Sequence, residues 1–127
     1  MSALVLDAGA FVAVERGDRA MVARLRVAER NGIELRSNGV VVAQVWRDPS
    51  GGQVKLGRLL RSVDVKAVDQ HLGRNAGVLL SRTRTSDAID ATVVAIAHAG
   101  DRVLTSDPGD IRVLVAASGL PIFVVPC

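Results

Sequence analysis

The sequence predicts an α/β fold in which a central, mostly parallel sheet of about four to five strands is flanked by helices. Short apolar runs alternate along the chain with longer segments of helical periodicity, which is the order expected of a parallel sheet. With 127 residues, the chain has the length of a single domain, 1–127. Hydrophobic residues make up 49% of it and charged residues 23%, a composition that excludes a disordered chain.

The strands are predicted from short apolar runs, and the helices from apolar residues at helical spacing. We expect strands at 3–6, 33–37, 63–68, 102–105 and 121–125. The intervening segments predict helices at 18–30, 38–46, 53–63, 70–83, 87–100 and 108–118. Polar side chains at several helix starts are typical N-caps, and glycines mark two helix ends. The expected caps are Asp18, Asn38, Asp69 and Ser86, and the expected stops are Gly100 and Gly119.

Aspartates follow two of these strands and begin one of the helices. Asp7 comes directly after the strand at 3–6, and Asp107 follows the strand at 102–105 after one serine. Asp87 and Asp90 are three residues apart, so on a helix they share a face. Ligands of open parallel sheets bind beyond the carboxyl ends of the strands. We therefore expect these carboxylates to converge at that edge.

Each aspartate taken singly also has a structural explanation. Asp7 suits a turn, Asp107 precedes a proline as helix N-caps do, and Asp87 complements a helix dipole. Asp110 fits a solvent-exposed helix start. Asp90 is harder to explain in this way, because it borders the apolar run "ATVVAIA" and a buried carboxylate needs a partner. The convergence of the group, rather than any one member, indicates a site.

Carboxylates gathered in one place require a proton or a cation between them. His71 and His98 have no companion at ligand spacing and Cys127 is the sole cysteine, so the sequence argues against a zinc site and against a disulfide framework. Oxygen ligands favour Mg²⁺ or Mn²⁺, ions that bind phosphates and activate water. This chemistry suits hydrolysis of phosphodiesters.

Charge and hydropathy narrow the class of partner. Fourteen of the 16 basic side chains are arginines, and the other two are Lys55 and Lys66. The planar guanidinium of arginine suits phosphate, so a polyanion is a plausible partner. The alternative explanation is that the coding composition of the gene favours arginine over lysine. Three aromatic residues argue against a platform that stacks single-stranded bases: Phe11, Trp46 and Phe123. The apolar run at 113–127 is too short to span a membrane, and no signal peptide is evident. We expect a cytoplasmic protein that binds no membrane.

Four segments together resemble a known family. "LVLDAGAFVA", "VVAQVWRD", "SDAIDATVVAIA" and "VLTSDPGDI", in this order and spacing, resemble the PIN domain and in particular the VapC-type toxins of toxin–antitoxin pairs. The resemblance covers essentially the whole chain. It implies a PIN-like three-layer fold, a Mg²⁺- or Mn²⁺-dependent endoribonuclease acting on RNA, a homodimer, and inhibition by a cognate antitoxin protein.

The resemblance also assigns residues. Asp7, Asp90 and Asp107 correspond to the metal-binding acids, and Asp87 and Asp110 would be accessory. The hydroxyl of Thr105 or Ser106 would orient a carboxylate or a water molecule.

The departure from the family pattern is Gln44, which stands where most members carry glutamate. An amide keeps an oxygen ligand but loses a negative charge, which weakens cation binding. Asp48 could compensate, although before Pro49 it is better placed to end a helix. A PIN-like module that binds RNA or an antitoxin without turnover is therefore the alternative function. A haloacid-dehalogenase-type phosphatase needs an aspartate where Gly9 stands, and a receiver domain needs an acidic pair and a lysine that are missing.

Overall fold

A computed structural model describes residues 2–47, 50–84 and 87–127. In these ranges the chain forms one sheet of five parallel strands in the order β3-β2-β1-β4-β5. The strands are β1 (Leu4–Leu6), β2 (Leu35–Asn38), β3 (Val63–Lys66), β4 (Arg102–Thr105) and β5 (Phe123–Pro126). The predicted α/β class and its mostly parallel sheet are confirmed.

Seven helices connect the strands within the described ranges. They are α1 (Ala8–Glu15), α2 (Arg19–Arg30), α3 (Gly39–Val45), α4 (Val54–Arg61), α5 (Gln70–Ser81), α6 (Ala88–Ala95) and α7 (Pro108–Ser118). Helix α1 contacts α2, α3 and α4, whereas α5, α6 and α7 pack against one another. Parallel strands need right-handed crossovers, and the change of direction between β1 and β4 places these two groups of helices on opposite sides of the sheet.

Polar caps fix the starts of the helices, as the sequence predicts. The carboxylate of Asp18 accepts a hydrogen bond from the Met21 amide, and that of Asp69 accepts one from the Leu72 amide. The Asn38 side chain caps α3. At the other end of a helix, Gly119 closes α7 with φ +69°, a conformation that favours glycine.

Three details of the expected helices differ from the structure. Helix α1 is absent from the prediction, because its eight residues are apolar on nearly every side and show no helical period. Helix α6 ends at Ala95 rather than at Gly100, because the buried Asp101 carboxylate accepts the His98 amide at 2.8 Å and closes a turn there. The expected cap Ser86 lies outside the described residues, and Asp87 occupies the N-cap position of α6.

The core lies between the sheet and both groups of helices. Its largest fully buried side chains come from strands and helices alike: Leu6, Phe11, Leu35, Leu56, Leu104, Ile111 and Leu114. None of the helices in the described ranges has the length and hydropathy needed to cross a bilayer. The core thus holds β1 and β4 rigidly side by side, and both strands end at the same edge.

Candidate metal site at the carboxyl edge of the sheet

The acidic residues surround the point where the strand order reverses. From β1, the chain continues to β2 on one side, while β4 lies on the other. Asp7 follows β1 directly, and Asp107 follows β4 after Ser106. This reversal creates the crevice in which parallel α/β sheets bind their ligands.

Asp7 is buried and its two oxygens are already hydrogen-bonded. Oδ1 accepts from the Ala8 amide at 2.8 Å, and Oδ2 accepts from the Thr105 hydroxyl at 2.7 Å. The same Thr105 oxygen accepts the Asp107 amide at 2.9 Å. A single hydroxyl on β4 therefore fixes both the Asp7 carboxylate and the backbone of Asp107.

Asp90, in the first turn of α6, is the residue that the fold leaves unsatisfied. It is 7% exposed, and its Oδ2 is the one buried side-chain oxygen or nitrogen of the described chain without a hydrogen-bond partner. Burial, and then the negative charges of Asp87, Asp7, Asp107 and Asp110, raise its pKa to about 7. Without a cation, Asp90 therefore retains its proton at pH values where an aspartate is normally ionised.

Asp107 and Asp110 complete a group of three with Asp90. One carboxylate oxygen from each of these residues lies within 4.8 Å of the others. The Asp107 charge raises the pKa of the fully exposed Asp110 carboxyl. Asp107 stands at the N-cap of α7, yet its side chain makes no capping hydrogen bond. The capping explanation of Asp107 therefore fails, and its carboxylate faces the other acids.

This grouping differs in one member from the set that the sequence suggests. The resemblance assigns Asp7, Asp90 and Asp107 to the metal, whereas the closest three oxygens belong to Asp90, Asp107 and Asp110. Asp7 lies near enough for its charge to raise the Asp90 pKa. Nothing in the local pattern distinguishes Asp110 from an ordinary carboxylate at a helix start; its place in the group depends on how β4 orients α7.

Asp87 serves α6 as its N-cap. Its Oδ1 accepts from the amides of Ile89 and Asp90, each at 3.0 Å, and the side chain is exposed. The cap orders the turn that carries Asp90, and its charge contributes to the raised pKa of that residue. Asp87 therefore acts on the site through Asp90.

Gln44 lies on α3 with an exposed side chain and makes no hydrogen bond to another residue of the described ranges. Helix α3 is tied to α6 at its start, where the buried Asn38 amide donates to the Thr92 hydroxyl at 3.1 Å. The Thr92 hydroxyl in turn donates to the Ile89 carbonyl at 2.6 Å. The structure thus links the helices of Gln44 and Asp90, but within the described ranges Gln44 makes no hydrogen bond to an acid. Asp48 lies outside the described residues.

Gly9 allows α1 to begin against the segment that carries Asp107. A Cβ at this position would lie 2.7 Å from Ser106 Oγ and 2.8 Å from Ser106 Cβ, closer than side chains pack. From the sequence alone, Gly9 indicates only that the aspartate of a haloacid-dehalogenase-type phosphatase is missing. Its close approach to Ser106 explains why a residue without a side chain stands there.

Known structures share this fold. The chain is similar to a chain from the crystal structure of VapBC2 from Rickettsia felis bound to a DNA fragment from their promoter, with a TM-score of 0.71 over 100% of this chain and 99% of that one. The sequence identity is 12%, so the similarity is one of fold. No family model and no curated protein matches the chain. The expected PIN-like fold, of the kind found in VapC-type proteins, is confirmed.

Proposed function

We propose that the protein is a Mg²⁺- or Mn²⁺-dependent endoribonuclease, the toxin of a type II toxin–antitoxin pair. The observation that carries this proposal is the buried, unpartnered Oδ2 of Asp90 beside the carboxylates of Asp107 and Asp110. A buried oxygen left without a partner costs about 1–3 kcal/mol, and more when the carboxylate is charged. A divalent cation removes this cost by neutralising the group.

The donor set fits a hard divalent cation. The neighbouring groups are all carboxylates, and oxygen ligands favour Mg²⁺ or Mn²⁺ over softer metals. Asp90, Asp107 and Asp110 would hold the ion, with Asp7 beside them in an orientation fixed by Thr105. A bound ion of this kind orients water and neutralises charge on a scissile phosphate. The protein's own contribution is to hold these carboxylates in place before the ion arrives.

RNA as the substrate is supported by the arginine content. The chain has fourteen arginines and a formal net charge of +3, although its carboxyl edge gathers several aspartates. Arginines hold phosphates by paired hydrogen bonds, and the acidic group then meets the phosphodiester through a cation. The net charge alone favours any polyanion, so the choice of RNA comes from the PIN-like fold.

A protein partner is supported by the fold neighbour, which belongs to VapBC2 bound to promoter DNA. We propose that this chain likewise pairs with a cognate antitoxin, forms a homodimer, and acts in the cytoplasm. Coexpression with the product of the neighbouring reading frame should abolish RNA cleavage. Unchanged cleavage in its presence would argue against that partner.

The second candidate function is a PIN-like module that binds RNA or an antitoxin without turnover. Gln44 favours it, because an exposed neutral amide stands at the position where most family members carry an acid. If α3 presents Gln44 to the ion, Gln44→Glu restores a negative charge and should lower the Mn²⁺ concentration for half-maximal cleavage. In a module that has lost turnover, the same change improves ion binding without cleavage.

The experiment is cleavage of a total RNA pool across a Mn²⁺ titration. The parent, Gln44→Glu and Gln44→Ala are compared with Asp90→Asn and with Asp64→Asn, a control carboxylate that is exposed and pairs with Lys66. We expect Mn²⁺-dependent cleavage by the parent and the control, and none by Asp90→Asn. Mn²⁺ binding without cleavage by any variant would favour the binding module, and identical titrations of the three Gln44 forms would place this residue away from the ion.

A further inference from the structure

We propose that Trp46 and the arginines of α4 form a binding pocket for one nucleobase of single-stranded RNA and its flanking phosphates. This inference rests on the proposed function, since it describes how the substrate of that site is held. A surface pocket of about 340 Å³ opens between the end of α3 and one side of α4. Trp46, Gly57, Arg58 and Arg61 line it. Its volume is within the range of small-molecule sites, about 300–1,000 Å³.

The indole ring is placed to offer a stacking surface. Trp46 is 40% exposed, although it is the largest apolar side chain of the protein. Its six-membered ring lies next to Gly57 of α4, where an added Cβ would be 3.8 Å from ring atoms Cη2 and Cζ3. The ring therefore contacts α4 while much of its surface meets solvent. Three aromatics cannot build a platform for a run of bases, but one ring can hold one base.

The backbone around Trp46 is held rigidly. The buried Gln53 side chain accepts the Arg47 amide at 2.8 Å and donates to the Val45 carbonyl at 2.9 Å. These two residues flank Trp46 in the chain. The Arg47 guanidinium also donates to the Trp46 carbonyl at 2.7 Å. Ordering these groups in advance reduces the entropy lost when a ligand stacks on the ring.

The charges beside the ring match a phosphodiester backbone. Arg58 and Arg61 are exposed, and neither forms an ion pair with any residue that the structure describes. Gly57 and Arg61 are four residues apart on α4 and so share the face on which the ring lies. An aromatic ring with unpaired arginines next to it binds a base by stacking and its phosphates by charge. An uncharged apolar ligand would leave both arginines without a partner.

Helix α3 connects the pocket to the carboxyl edge of the sheet. This helix starts after β2 at the carboxyl edge, contacts α1 and α6, and carries Gln44 two residues before Trp46. Seven helical residues span about 10 Å. A short single strand that crosses this distance would place one base on Trp46 and a phosphodiester near the acidic residues.

Intrinsic fluorescence tests the pocket directly, because the chain has one tryptophan and no tyrosine. A short oligouridylate is titrated into the native protein in EDTA, so that RNA binding is measured without cleavage. We expect the RNA to quench the Trp46 emission, whereas inorganic polyphosphate, which has no bases, binds without this quenching. Saturation is followed independently by the anisotropy of a labelled oligouridylate. Saturated binding without quenching would overturn the proposal.

Substitutions separate the contribution of ring stacking to RNA affinity from the contribution of charge. Trp46→Ala should weaken oligouridylate binding about tenfold and Trp46→Phe much less, because a smaller ring still stacks. Arg61→Gln should lower the slope of log affinity against log salt by about 0.7 for the phosphate contact it removes. Phe123→Ala and Arg74→Gln, an exposed aromatic and an exposed arginine of other elements, are matched controls and should change neither quantity.

The outcomes distinguish this pocket from the proposed function and from a protein partner. Quenching by RNA in a protein that never cleaves supports the pocket and refutes the ribonuclease; cleavage without quenching refutes the pocket alone. Polyglutamate serves as an acidic polypeptide probe. Equal effects of polyglutamate and oligouridylate on Trp46 emission would show that the pocket recognises acidic chains in general, which contradicts recognition of a base.

Discussion

Asp90 and Asp101 are two buried aspartates at opposite edges of the same sheet, and the fold treats them in opposite ways. Asp101, which precedes β4, is 2% exposed; it pairs with Arg36 at 2.7 Å and accepts the amides of Ala3 and His98. Asp90, at the carboxyl edge, is 7% exposed and has an oxygen with no partner. The first carboxylate has a full set of partners, whereas the burial of the second is uncompensated by any partner in the described chain.

Their pKa values shift in opposite directions, because burial is compensated at Asp101 only. Burial raises the pKa of both carboxyls, but amide hydrogen bonds and Arg36 more than offset this effect at Asp101 and lower its pKa. At Asp90 the neighbouring charges are all negative, so burial and repulsion act together. Uncompensated burial of a charge is retained where function requires it. The comparison therefore supports the proposal that the site lies at the carboxyl edge.

Substitution of the compensated aspartate should have the largest effect. Asp101→Asn removes the buried counter-charge of Arg36 and leaves it only the half-exposed Glu34, and breaking a buried pair costs up to about 3–5 kcal/mol. Asp90→Asn should leave the metal-free protein as stable as the parent or more so. Chemical denaturation at pH 8 in EDTA measures the free energy of unfolding of both variants and of the parent. Asp64→Asn, in the exposed pair with Lys66, is the control and should cost less than about 1 kcal/mol.

The pH dependence of stability should also differ between the two sites. Above about pH 4, Asp90 ionises in the unfolded chain but keeps its proton in the fold up to about pH 7. The folded state then binds more protons, so stability in EDTA should fall as pH rises from 4 to 7, by about 1.4 kcal/mol per unit of pKa difference at most. Asp90→Asn should remove this fall.

The Asp101 carboxyl should make the stability depend on pH in the opposite direction. Its lowered pKa contributes stability that is present above its ordinary pKa of 3.8 and is lost as pH falls below that value. Thermal melts of the parent and the Asp90→Asn variant from pH 3 to 8 would show separately the pH range governed by Asp101, below about 4, and the range governed by Asp90, from about 4 to 7. A parent whose stability rises steadily from pH 4 to 7 would contradict the unpartnered state of Asp90.

Gly9→Ala should disturb the carboxyl edge and nothing else. Alanine is the better helix former, yet its Cβ would contact Ser106 at 2.8 Å, and overpacking of this kind costs about 1–3 kcal/mol. The shift of Ser106 also moves the adjacent Asp107, so Mn²⁺ should stabilise this variant less than the parent. Gly73→Ala on α5, where nothing lies within 4 Å of an added Cβ, is the control and should stabilise by up to about 1 kcal/mol.

At Thr105 we expect Mn²⁺ affinity to depend on the side-chain hydroxyl. Thr105→Val removes the donor to Asp7 and the acceptor for the Asp107 amide, at a cost of about 1–3 kcal/mol. Thr105→Ser keeps the hydroxyl and should retain the Mn²⁺ affinity of the parent, whereas the valine variant should bind Mn²⁺ more weakly. Equal Mn²⁺ affinities of the two variants would show that the hydroxyl does not position these acids.

The sequence predicted most of the fold because strands, helices and caps have local patterns. All five strands and the helix caps Asp18, Asn38 and Asp69 follow from short stretches of sequence. Helix α1 has no such pattern, since its burial comes from the surrounding helices rather than from one apolar face.

The candidate site was predictable only in part. Two strand ends place Asp7 and Asp107 at one edge, but the approach of Asp110 to Asp90 depends on the orientation of α7. Arg36 pairs with Asp101 across 65 positions of the chain, and Asp101 also accepts the His98 amide and so ends α6 early. Contacts of this kind come from tertiary packing and leave no periodic signal.

Calorimetric titration of Mn²⁺ into the parent, Asp90→Asn and Asp64→Asn is the most direct test that Asp90 belongs to a cation site. At pH 6 the parent should bind Mn²⁺ and release about one proton, measured from the heats in two buffers, because Asp90 is still protonated there. At pH 8 the proton release should disappear. Asp90→Asn should lose at least about tenfold in affinity through the missing ligand charge, while Asp64→Asn matches the parent. A folded Asp90→Asn variant that binds Mn²⁺ as tightly as the parent, with the same proton release at pH 6, would contradict the assignment.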